Sequence, residues 1–172
     1  MKIHKLTLSA LFLALGLLLP FLTGQIQYIG NMLLPMHFPV YLCGFLCGGW
    51  YGGLIGFLLP LIRFACFGMP PLFPVGFAMA FELATYGMVV GFLYQKQNDH
   101  SYKTIYISLI IAMILGRLAW AITMMVCLGI SSMTWQLFIT STLLNAIPGI
   151  LLQLISIPIF IKKIQIKRNL VL

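Results

Sequence analysis

Apolar positions fall into six runs separated by short polar or Pro/Gly-rich breaks, at residues 6–22, 35–47, 51–67, 73–94, 104–127 and 137–161. None alternates with a period of two, so strands are excluded and helices are predicted. About 17–25 apolar residues make a helix that crosses a bilayer. The second run is short and carries Pro35 and Pro39 at its start. Gly48 and Gly49 form the next corner, and Gly68-Met69-Pro70-Pro71 the one after, because two prolines cannot continue a helix. The only strongly polar linker is residues 95–103. The expected fold is an all-α integral membrane protein, a single domain over residues 1–172 with six transmembrane helices. The first run also has the outline of a secretory signal peptide. Its near-spanning length and the lack of soluble sequence after it favour a membrane span.

Composition supports this reading. Apolar residues make up 62% of the chain and charged residues 7%, against about 45–50% and about 25% in soluble domains. The net charge is +8, but the basic residues sit at the ends of runs and form no nucleic-acid patch. Lys2 and Lys5 precede the first span, Lys96 and Lys103 flank the central linker, and Lys162, Lys163, Lys167 and Arg168 follow the last. An even span count puts all three clusters on one side, which the positive-inside rule makes cytoplasmic, with both termini.

Two arginines and a glutamate lie inside the runs, where a charge costs roughly 2.5–3.5 kcal/mol at mid-membrane on insertion scales. At 1.5 Å per residue, Glu82 lies about 13 Å below the outer surface, Arg117 about 15 Å, Asn145 about 12 Å and Arg63 about 6–8 Å. The loop with Gln25, Gln27, Tyr28, Asn31 and His37 covers the same side. This convergence predicts a pocket open to the outside, lidded by that loop. Each residue also has a plainer reading. Arg63 can snorkel to headgroups, Glu82 and Arg117 can be a structural pair, His37 can cap a helix, and Asn145 can join helices by hydrogen bonds. Cys43, Cys47, Cys66 and Cys127 read as small buried apolar residues with no metal set. Small residues recur at four-residue spacing, as in Ala10 and Ala14 or Gly44, Gly48, Gly52 and Gly56, which lets helix backbones approach closely.

Six spans in about 170 residues, the basic start, Ala10-x3-Ala14 and the run MLLPMHFPVYLCGF…GFLLPLIRFACFGMPPLFP…AFELATYG resemble the substrate-binding S component of energy-coupling factor (ECF) vitamin transporters. The likeness is to the pantothenate type and covers essentially the whole chain. It implies that Ala10 and Ala14 dock on a transmembrane coupling protein, that two partner ATPases use the ATP, and that a small vitamin binds under the first outer loop. The chain has no phosphate-binding loop, so it is expected to need no cofactor and to catalyse nothing. The expected substrate contacts are Arg63, Glu82, Arg117, Asn145, Gln25, Tyr28, Asn31 and His37. Two arginines against one glutamate leave a surplus of +1, which suits a carboxylate such as pantothenate or nicotinate. Folate or hydroxymethylpyrimidine as substrate and a stand-alone secondary transporter remain alternatives. An intramembrane enzyme is disfavoured because no nucleophile–base pair or metal motif is present.

Overall fold

The computed structural model describes residues 2–22, 34–97, 101–129 and 147–170. Its elements are α1 (Lys2–Leu22), α2 (His37–Cys47), α3 (Gly49–Phe67), a π-helical turn (Leu72–Gly76) that leads into α4 (Phe77–Lys96), α5 (Tyr102–Leu128) and α6 (Ile147–Leu170). No strand occurs among the described residues. Five helices, with the π turn counted into α4, are long and apolar enough to cross a membrane. The second expected span is different. It is an 11-residue helix, about 16 Å long at 1.5 Å per residue, and so falls short of the roughly 30 Å hydrocarbon core. Five candidate spans and one shorter apolar helix are thus present among the described residues.

The short helix is the centre of the packing. Val40, Tyr41 and Cys43 are wholly buried, and α2 packs on α1, α3, α4 and α6. Glycine makes the approach possible. A Cβ on Gly44 would stand 2.6 Å from the Gly87 carbonyl oxygen of α4, too close for any side chain. Gly52 of α3 and Gly87 of α4 also meet backbone to backbone. In a bilayer, where hydrophobicity does not drive helices together, such contacts supply dispersion and exclude lipid.

Long apolar side chains on the outer surface complete the picture. Ile110, Ile122 and Val126 of α5 and Leu151, Ile155 and Ile159 of α6 are exposed. In water this would be a very large apolar surface; against acyl chains it is the favourable arrangement. On α1 the buried face is Ser9, Phe12, Gly16 and Pro20, while Ala10 and Ala14 lie on the exposed face.

Candidate functional site

The helices bring polar side chains together at one place, where α2, α4, α5 and α6 surround a cavity of about 270 Å³. Glu82, on α4, is 2% exposed. Its Oε1 accepts a hydrogen bond from Tyr86 Oη at 2.7 Å, one turn along the same helix. The same oxygen is 2.9 Å from Nη1 of Arg117 on α5, so the two intramembrane charges form a direct ion pair. Gly116, beside Arg117, has no side chain because the Tyr86 ring occupies that space. The aromatic ring and the ion pair are thus seated by one glycine.

His37 opens α2, and its Nε2 is 3.8 Å from Glu82 Oε1, beyond hydrogen-bond reach. Both of its ring nitrogens lack a hydrogen-bond partner among the described residues, as do Tyr41 Oη and Gln153 Nε2. His37 and Gln153 are each 2% exposed and Tyr41 is wholly buried. All three line the cavity, together with Tyr86 and Arg117. Each polar atom left unmet in such a place costs about 1–3 kcal/mol, so four in one cavity form a concentrated demand for hydrogen bonds. Met113, Ile114, Leu118 and Ile150 supply the apolar wall.

Arg63 is elsewhere. Its Nη1 donates to the Leu17 carbonyl of α1 at 2.9 Å, and its guanidinium carbon is 5.5 Å from the ring centres of both Phe21 and Phe67. It is 4% exposed and is not part of the cavity wall. Among the described residues the cavity wall shows no surplus charge, because its one guanidinium already faces Glu82. Gln25, Gln27, Tyr28, Asn31 and Asn145, and with them most of the expected lid, lie outside the described residues.

Three polar wall residues were not anticipated from sequence. Tyr41 and Tyr86 each stand four residues after an expected site residue, His37 and Glu82, and so share its helix face. Gln153 is an uncharged amide in an apolar span, the same signal that singled out Asn145. Clusters of three or more metal-ligating side chains are absent among the described residues.

The family model of the ECF transporter substrate-specific component matches residues 4–161. The chain belongs to this family. Curated proteins and solved structures give no match. As an ECF substrate-specific component, it is a transport subunit and not an enzyme. It captures substrate in the membrane and associates with the other ECF components and their ATPases.

Proposed function

We propose that this S component captures a small carboxylate vitamin, with pantothenate the leading candidate, in the cavity between α2, α4, α5 and α6. What supports this most is the make-up of the wall, with one guanidinium, three polar side chains holding unused hydrogen-bonding atoms and an apolar remainder. Small-ligand sites are built in this way. The volume, about 270 Å³, falls just below the usual range of about 300–1,000 Å³. It suits a vitamin the size of pantothenate or nicotinate better than folate. Of the two intramembrane arginines, Arg117 on the cavity wall is the one that meets the substrate carboxylate. A guanidinium has five N–H donors in a planar fork, which lets Arg117 keep Glu82 and still meet a substrate carboxylate. Both termini face the cytoplasm in this reading, Ala10 and Ala14 present the docking face of α1 to the coupling protein, and two ATPases drive release inward.

The closed Glu82–Arg117 pair favours one second reading, a neutral polar precursor such as hydroxymethylpyrimidine. Titration of the purified protein with pantothenate and with its neutral alcohol analogue separates the two. The carboxylate reading expects the acid to bind at least about tenfold more tightly, equal to about 1.4 kcal/mol. Arg117→Lys, which keeps the charge but loses the fork, should erase most of that preference. Equal affinity for acid and alcohol would sink the carboxylate class and leave the neutral one.

A further inference from the structure

The charges in the cavity are already matched, and its unmet demand is for neutral hydrogen bonds. Tyr86 Oη is committed to Glu82, and Arg117 Nη1 faces the same carboxylate. The unpartnered atoms are the two ring nitrogens of His37, Tyr41 Oη and Gln153 Nε2. Each belongs to a side chain at most 2% exposed that lines the cavity. They come from two helices. His37 and Tyr41 are four residues apart on α2 and therefore share a face, and Gln153 comes from α6.

The chemistry of these atoms is uneven. Gln153 Nε2 offers two N–H donors and accepts nothing, Tyr41 Oη donates one hydrogen and accepts, and a neutral imidazole donates at one nitrogen and accepts at the other. Donors outnumber acceptors, so the complementary surface is rich in oxygen but must also give back at least one hydrogen. Hydroxyl and amide groups meet both conditions. An ammonium group does not, because it brings only donors to a donor-rich wall beside a guanidinium.

We infer that His37, Tyr41 and Gln153 form a specificity wall that reads hydroxyl and amide groups on the neutral part of the substrate, separate from the charge pair at Glu82 and Arg117. This rests on the cavity being the capture site proposed above. The substrate class narrows to small molecules with at least one hydroxyl or amide besides any carboxylate. A flat aromatic acid without such groups is excluded as a tight ligand even if its charge fits.

The test pairs side-chain deletions with ligand deletions. Tyr41→Phe and Gln153→Leu remove polar atoms while keeping approximate shape. Each is titrated with pantothenate and with analogues lacking one hydroxyl or the amide. Each variant should lose about tenfold or more in affinity for pantothenate, and that loss should shrink to about twofold or less for the analogue lacking the matching group. The melting temperature of each ligand-free variant should hold or rise, because an unmet buried polar atom has been removed. A variant that weakens all ligands equally and melts lower is packing the helices, and the wall is then overturned. If pantothenate does not bind the wild type, the carboxylate vitamin named above is wrong, but the wall is still tested. The compound that co-purifies with the wild type is then identified by mass spectrometry, and its occupancy is compared in the two variants. Wild-type occupancy in both, or a compound without hydroxyl or amide groups, overturns the inference.

Discussion

Two arginines within the spans of this bundle solve the same problem in different ways. Arg117 meets a carboxylate from a neighbouring helix, at the edge of a cavity. Arg63 meets a backbone carbonyl of α1 and the faces of two phenylalanine rings, away from that cavity. The first arrangement concentrates opposite charges and leaves polar neighbours with unused atoms. The second spreads one cation over a dipole and two quadrupoles. A charge inside a span therefore does not by itself mark a ligand site. What its partner is, and what lies on its other side, decide between a recognition group and a brace.

The largest expected effect comes from breaking the ion pair. Arg117→Ala leaves Glu82 charged, buried and held only by Tyr86, with His37 too far for a direct bond. Loss of one partner of such a pair costs about 3–5 kcal/mol. Expression of the folded protein should fall, and its thermal midpoint in detergent should drop by far more than for any change at Arg63. A midpoint within a degree or two of wild type would show that Glu82 does not depend on Arg117. The double variant Glu82→Gln/Arg117→Gln should recover part of the lost stability, because two neutral amides can hydrogen-bond without a stranded charge. It should not recover substrate binding, since the guanidinium on the cavity wall is gone. Recovery of binding would move the anion contact away from Arg117.

The same contrast explains what was legible in the sequence. The helices were readable because lipid imposes a single rule, that every backbone polar group be satisfied inside its own segment. Run length places the described ends of the first five helices within a few residues, whereas α6 continues to Leu170, past the expected end at residue 161. α2 was the exception. Its apolar run is as hydrophobic as the others, but the 11-residue helix of Pro39, Gly44 and their neighbours is buried by protein on several sides, so apolarity there reports a core and not a full crossing. The Glu82–Arg117 pair was readable from depth alone, because one buried anion and one buried cation at similar depth have little choice. That Arg63 stands away from the cavity wall was not legible, for a related reason. Depth says how far a side chain lies from the surface but not its direction around the helix axis, and α3 turns Arg63 towards α1. Tyr41 and Gln153 were passed over because neither is charged, although their unpartnered atoms now define much of the wall.

The smaller expected effect is at Arg63, and it sharpens the comparison because stability and binding should separate. Arg63→Met keeps much of the side-chain length and apolar stem but removes the guanidinium. The lost terms are a hydrogen bond from a charged donor, about 1.5–3 kcal/mol, and cation–π contacts with Phe21 and Phe67, each about 0.5–2 kcal/mol. Against these stands the cost of burying a cation, which the methionine no longer bears. The terms largely offset, and the net loss should be about 1–2 kcal/mol, well below that of Arg117→Ala. Arg63→Lys should differ in kind. An ammonium can still donate to the Leu17 carbonyl, but it is a compact, strongly hydrated charge without a planar face to lie against two rings, so it should stabilise no better than methionine. Substrate affinity should stay within about twofold of wild type in both variants, because Arg63 does not reach the cavity. The measurement is a thermal unfolding curve and a ligand titration on the same preparation of each variant. If affinity falls tenfold while the midpoint holds, Arg63 is a recognition residue after all, and the distinction between the two arginines collapses.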